Sequence, residues 1–219
     1  MGSDVSVTVN SLTVGAFREN CYLVVEAESK RCAIVDPGAE PDRIIAAVEG
    51  AGVVPEAVWL THAHLDHIGA VSGVRRRWDV PVYLHPLDTP LYAMATRQAA
   101  LYGLPFEQPA PADRMVGDGD VLELGALRFA VMHTPGHAPG HVVIHGHGVA
   151  LVGDCLFAGS IGRTDLPMSN PRDLAASLER IIALPNDTIV YPGHGPATSI
   201  GIEAASNPFL TGVARIVGA

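Results

Sequence analysis

Positive charge is scarce in this chain: 14 Lys and Arg stand against 23 Asp and Glu in 219 residues. That balance argues against a nucleic-acid partner, which would select for a basic groove. The one basic block, Arg75, Arg76 and Arg77, reads as the solvated face of a helix. Long apolar runs are missing too. None reaches the roughly 20 residues that cross a bilayer, so no membrane association is expected. The opening stretch MGSDVSVTVN has no basic segment leading into an apolar core, and no secretory signal is expected. Cysteine is limited to Cys21, Cys32 and Cys155, widely spaced and without a C-x-x-C. That excludes a disulfide scaffold and a cysteine-closed structural zinc site, and points to reduced thiols in a cytoplasm.

Apolar residues make up 48% of the chain and charged ones 17%, which is the balance of a globular protein. The length suits one well-packed domain, taken as residues 1–219. Alternating or β-branched runs mark strands at VSVTV, CYLVV, CAIVD, AVWL, VPVYL, VLEL, LRFAVM, HVVIH, VALVG and DTIVY. Helices are expected over EPDRIIAAVEGAG, IGAVSGVRRRW and LDTPLYAMATRQAALYG. The clearest is SNPRDLAASLERIIALP, with Asn170 as N-cap, Pro171 at the first helical position and Pro185 beyond the end. GLPFEQPAPADRM reads as an ordered proline-rich connection. Strands in both halves with helices between them give an α/β or α+β class, and a four-layer sandwich is one architecture that fits.

The 10 histidines are unevenly placed. In WLTHAHLDHIGA, His62, His64, Asp66 and His67 crowd together directly after an apolar run. His137 lies in HTPGHAPGH, Asp154 in LVGDC and His194 in YPGHG, each in or beside a Gly/Pro loop at a strand end, where functional groups collect. Five histidines and two carboxylates suffice to hold two metal ions with positions left for water. In extended backbone His62 and His64 point the same way, while Asp66 and His67 diverge, so one ion taking the first pair and a second taking the other fits local geometry. His85, His145 and His147 read as polar surface, and His133 and His141 as loop hydrogen-bonders. Asp36, in DPG, reads first as a turn residue, with support of a metal ligand as the lesser alternative. Cys155 reads as a core thiol facing away from its neighbour Asp154.

In order along the chain, THAHLDH, HTPGHAPGH, GDCLF and PGHGP closely resemble the metallo-β-lactamase superfamily. GDCLFAGSIGRTDLP and the short tail look most like the compact bacterial type II glyoxalases, the hydroxyacylglutathione hydrolases. The resemblance implies a four-layer αββα sandwich, without the C-terminal helical domain of larger glyoxalases. It gives one metal to His62, His64 and His137, a second to Asp66, His67 and His194, and makes Asp154 the bridge. Zinc is the usual metal, with iron or manganese also accepted. Arg163, in GRTD, matches a basic position near the glutathione moiety and is the candidate for a substrate carboxylate; a loop salt bridge with Asp165 is the equal alternative.

The expected chemistry is hydrolysis of a small-molecule thioester such as S-lactoylglutathione by a metal-bridging hydroxide, with Asp66 orienting the nucleophile and accepting its proton. An alkyl thiol, with a pKa near 8.5, leaves as thiolate without a dedicated acid, whereas a β-lactam amine needs a proton. A mono-iron glutathione persulfide dioxygenase, held by the counterparts of His62, His137 and Asp154, is the first alternative. Those enzymes typically carry a cysteine where this chain has Ile161. A lactonase or β-lactam-degrading hydrolase is the further alternative, and a nuclease is disfavoured by the acidic composition.

Overall fold

A computed structural model describes residues 6–218, so the expected strand VSVTV is described from Ser6 onward. Two six-stranded sheets follow one another along the chain. The first half supplies β1 (Val7–Val14), β2 (Glu19–Glu26), β3 (Arg31–Val35), α1 (Pro41–Ala51), β4 (Val54–Trp59), α2 (Leu65–Ile68), α3 (Val71–Arg77), β5 (Val82–Leu84), α4 (Thr89–Ala93), α5 (Ala95–Leu101) and β6 (Arg114–Met115). The second half supplies β7 (Val121–Leu124), β8 (Leu127–His133), β9 (Val142–Gly146), β10 (Val149–Gly153), the hairpin β11 (Leu156–Phe157) and β12 (Ser160–Ile161), α6 (Pro171–Ile181), β13 (Ile189–Pro192), β14 (Thr198–Ser199) and α7 (Ile200–Ser206). Strand order is β1-β2-β3-β4-β5-β6 in one sheet and β14-β13-β10-β9-β8-β7 in the other.

Period-two alternation sorts the strand residues into three layers of core. From β2 and β3, Tyr22, Val24, Ala33 and Val35 enter the central layer, where Trp59 of β4 meets Phe129 of β8 edge-on at 5.4 Å. Their neighbours Cys21, Leu23, Cys32 and Ile34 point the other way, onto Ile44 and Val48 of α1 and Val71 and Val74 of α3. In the second sheet Leu151 faces the centre, while Ala150 and Val152 face Leu174, Leu178 and Ile181 of α6. Each large side chain buried this way contributes roughly 1.5–3 kcal/mol. Helices therefore cover both outer faces of a sheet pair, the four-layer αββα architecture. Cys155 is one of the fully buried residues of the α6 layer, a core thiol as its sequence setting implied.

The capping signals around Asn170 act as expected: its side-chain oxygen accepts from the N–H groups of Arg172 and Asp173. The helix expected over residues 87–103 is instead a 3-10 turn at Pro86–Asp88 followed by α4 and α5. The break falls at Met94, whose N–H is shared between the carbonyls of Pro90 and Leu91 and so tightens the turn. Of IGAVSGVRRRW only Val71–Arg77 form the expected helix, α3; Ile68 closes the preceding α2, and the two are parted at Gly69 and Ala70, where the Ala70 N–H donates to the carbonyl of Pro37. No described helix is long and apolar enough to cross a membrane.

Candidate metal centre

Strand direction brings the site together. β3 and β4 run parallel, so the loops that follow them, carrying Asp36 and His62 to His67, leave the sheet at one end. In the other sheet β10 is parallel to β13, and β8 shares their direction because β8 and β10 are both antiparallel to β9. The loops with His137, Asp154 and His194 consequently leave at one end too. The first strands of the chain brace this meeting point: Tyr22 donates from its hydroxyl to the Pro192 carbonyl at 2.6 Å, and Asn20 donates from Nδ2 to the carbonyls of Pro192 and Gly195. This holds the YPGHG loop against the opposite sheet.

All seven residues singled out from the sequence converge. His62, His64 and His137 form one cluster and Asp66, His67 and His194 another, in each of which one nitrogen or oxygen per residue lies within 4.8 Å of the others. His64 Nδ1 is 2.9 Å from His137 Nε2. Asp154 reaches both clusters: Oδ1 is 3.5 Å from His67 Nε2, while Oδ2 is 3.4 Å from His137 Nε2 and 3.5 Å from His194 Nε2. Asp66 Oδ2 lies 3.4 Å from His194 Nε2.

The donor atoms are prepared for a cation. His62 Nε2, His67 Nε2 and Asp154 Oδ1 are buried with no hydrogen-bond partner. A native fold rarely leaves such atoms bare, because each forfeits its hydration for nothing. The opposite ring nitrogens are occupied: His62 Nδ1 lies 3.1 Å from Thr61 Oγ1, His67 Nδ1 lies 3.0 Å from Asp36 Oδ2, and His137 Nδ1 lies 2.9 Å from the Arg163 carbonyl. A proton on each of those nitrogens leaves the Nε2 lone pair facing the cluster, the tautomer a metal needs. Three imidazoles and a carboxylate about the first position, and two imidazoles and two carboxylates about the second, suit divalent cations of borderline softness, so the residues fit two metal ions.

Electrostatics point the same way. Burial, reinforced by neighbouring imidazoles, holds His62 neutral and takes His64 down to about 3; burial also lowers His137. Burial would likewise lower His67 and His194, but carboxylates outweigh it. Asp154 and Asp36 raise His67, and bonds to Asp154 and Asp66 raise His194 to about 9. Burial opposes ionisation of Asp154, yet His67 and His194 beside it keep it well below the usual carboxylate range. The first cluster thus offers neutral nitrogen donors, whereas around His67 and His194 the carboxylates favour a positive charge, which a proton or a metal ion can supply.

Several supporting residues were misjudged or missed in the sequence. Asp36 is no mere turn residue: its carboxylate, 2% exposed, accepts from the Thr61 N–H at 2.7 Å, the Thr61 hydroxyl at 2.6 Å and His67. Although it groups with His62 and His67 as a potential ligand, its oxygens are already engaged, so it braces the histidines. His85 is buried and stacks on His133 at 4.1 Å, where polar surface was expected. His145 is half-buried and His147 exposed. His141 does bond within its loop, to Thr134 Oγ1, and its Nε2 also accepts from the Asp154 N–H at 3.0 Å. Asp88, fully buried, accepts from the N–H groups of Ala63 and Gly140 and so ties the THAHLDH loop to the HTPGHAPGH loop. Arg163 lines the cavity above the cluster, and its guanidinium is paired with Asp165 at 2.6 and 2.8 Å.

Gly193 lets Asp154 and His67 sit where they do. A Cβ there would fall 2.2 Å from Asp154 Oδ1 and 2.8 Å from His67 Cε1. Gly193→Ala is therefore expected to displace the Asp154 carboxylate and reduce kcat/KM by about a hundredfold, the usual consequence of a misplacement near 1 Å. Thermal unfolding of the metal-free variant should change much less than activity does, and an unaltered kcat/KM would refute this reading of the contact.

The model of the metallo-beta-lactamase superfamily matches residues 14–194. The chain belongs to that superfamily. It is 41% identical over 206 residues to the probable metallo-hydrolase YqgX of Bacillus subtilis, spanning 92% of this chain and 96% of that one. Hydroxyacylglutathione hydrolase GloC of Haemophilus influenzae is 37% identical over 209 residues, covering 93% of this chain and 98% of GloC. Among solved structures, the BLEG-1 B3 metallo-beta-lactamase superposes with a TM-score of 0.88 at 39% identity, covering 93% of this chain and all of that one. TTHA1623 in a di-iron-bound form superposes at 0.86 and 45% identity, covering 92% of this chain and all of its own. The superfamily protein described here is accordingly a metal-dependent hydrolase.

Proposed function

We propose that this superfamily member hydrolyses thioesters at a dinuclear centre in which His62, His64 and His137 hold one ion, Asp66, His67 and His194 hold the other, and Asp154 bridges them. The observation that carries the dinuclear reading is the Asp154 carboxylate, with one oxygen toward His67 and the other toward His137 and His194. The di-iron form of TTHA1623 supports two metals on this fold. When bound, the two ions would supply an acidified water and polarise the substrate carbonyl.

The chain's own residues supply orientation and proton movement. Asp66 lines the cavity, where its carboxylate can orient an incoming water and take a proton at an oxygen. Thr61, Asp36 and the Arg163 carbonyl fix the imidazoles from behind. In the net reaction a C–O bond forms, the C–S bond breaks, and the electron pair of that bond leaves on sulfur. The leaving group selects the substrate class. Besides the candidate ligands, the titratable groups lining the cavity are Tyr102 and Arg163, both on its exposed rim. Apart from the candidate ligands no buried acid lines the described cavity to protonate an amine, and a thiolate needs none. The likeness to GloC supports a hydroxyacyl thioester as first substrate.

A second reading, β-lactam hydrolysis, is favoured by the likeness to BLEG-1. One experiment separates the readings. Metal-replete protein should contain about two ions per chain of zinc, manganese or iron and turn over S-lactoylglutathione. Exhaustive chelation should abolish turnover and lower the unfolding temperature, and returned metal should restore both. Two bound metals with β-lactam cleavage but no thioester cleavage would overturn the proposal, as would a single iron accompanied by oxygen uptake.

A further inference from the structure

The cavity above the candidate centre is about 460 Å³, the size of a small-molecule site. Its walls are dominated by Phe17, Leu65, Leu91, Leu101, Tyr102 and Phe157. Three of these apolar walls stand open to solvent: Leu101 is 83% exposed, Tyr102 57% and Phe17 39%. Phe17, from the β1–β2 turn, meets Tyr102, beyond the end of α5, edge-on at 5.4 Å, so the two elements close the rim together. An apolar surface gathered around a concave site is a surface that a ligand covers.

Charge on the lining residues is sparse beyond the candidate ligands. Arg163 is the one Lys or Arg among them, and both edges of its fork face Asp165. That pair is exposed and weak, yet an incoming carboxylate would have to compete with Asp165 for both edges of the Arg163 fork. Glutathione carries two carboxylates and one ammonium, and among the described lining residues no unpaired Lys or Arg stands ready for either carboxylate. A small hydroxyacyl group also leaves most of the volume to the thiol arm.

Resting on the thioesterase reading and narrowing it, we infer that the cavity is built for an uncharged alkyl or aryl thiol arm, and that glutathione is a tolerated arm, not the preferred one. The test compares lactoyl thioesters of glutathione, glutathione diethyl ester and benzyl mercaptan, all alkyl thiols whose leaving tendencies are close. The benzyl thioester is expected to show kcat/KM about tenfold above the glutathione thioester, chiefly through KM, with the diester between them. Leu101→Ser should erase much of that advantage. Asp165→Asn, which frees Arg163, should raise kcat/KM for the glutathione thioester about fivefold and leave the benzyl thioester unchanged. Calorimetry with S-benzyl and glutathionyl thioethers, which do not turn over, reads the same preference as binding. A glutathione arm that binds and reacts as well as the benzyl arm overturns this inference and leaves thioester hydrolysis standing. Benzyl thioether binding without cleavage of any thioester overturns the hydrolase reading and with it the assignment of a leaving-thiol pocket.

Discussion

Asp154→Asn is expected to leave a folded protein that binds about one metal ion per chain in place of two and hydrolyses thioester roughly a thousandfold more slowly. The substitution keeps the shape of the side chain and the backbone N–H that donates to His141, so the loop has no reason to move. What it removes is the charge shared between the two histidine clusters. His67 and His194 lose the carboxylate that most concentrates negative potential on them, and a neutral amide presents one weak acceptor where two charged oxygens stood. Elemental analysis reads the stoichiometry, and stopped thioester assays at saturating metal separate a binding defect from a chemical one. Asp154→Asn protein that retains two ions and most of its kcat would show that the clusters act independently and that the bridge is not needed.

The sequence made the centre legible because ligands advertise themselves locally. His and Asp placed in Gly/Pro loops after strands have no packing role, and each of the seven carries that signature within a few residues. Strands of five or more residues with near-continuous apolar runs, such as β2, β3 and β10, were equally plain, since their two faces enter two different cores. Two-residue strands such as β6, β11, β12 and β14 lie below any detectable period and exist through pairing alone. The braces behind the ligands were hidden for a different reason. Asp88 sits in HPLDTP, a setting that reads as a helix start, and it provides no capping bond to α4. Its carboxylate serves Ala63, 25 positions before it, and Gly140, 52 positions after it. Asp36 bonds to Thr61 across 25 positions and to His67 across 31. A ligand's chemistry is written beside it in the chain, whereas a brace is defined by the loop it reaches, which only the folded topology supplies.

Asp36→Ala should be the most destabilising of the single substitutions considered, costing about 3–5 kcal/mol even in metal-free protein, as breaking a buried charged network does. Three donors lose their acceptor at once: the Thr61 N–H, the Thr61 hydroxyl and His67 Nδ1, all inside the closed end of the sandwich. Asp36 also holds a left-handed backbone conformation, φ 48°, which aspartate tolerates and alanine resists by about 1–2 kcal/mol. Asp36→Asn separates fold from function. Asn keeps the shape, adopts the left-handed region readily and still accepts from the Thr61 N–H, but its amide N–H₂ group meets Thr61 Oγ1 and His67 Nδ1 where a carboxylate oxygen accepted before. His67 then has reason to move its proton to Nε2, turning a donor toward the second metal position in place of a lone pair, and metal affinity should fall by about 10- to 100-fold. Denaturant unfolding of stripped protein measures the first effect and competition with a calibrated chelator the second. Equal denaturation midpoints for Asp36→Ala and the unsubstituted chain would mean that the buried carboxylate is not the keystone of this loop. Undiminished affinity in Asp36→Asn would mean that the His67 tautomer is set by the cation itself, with the protein following.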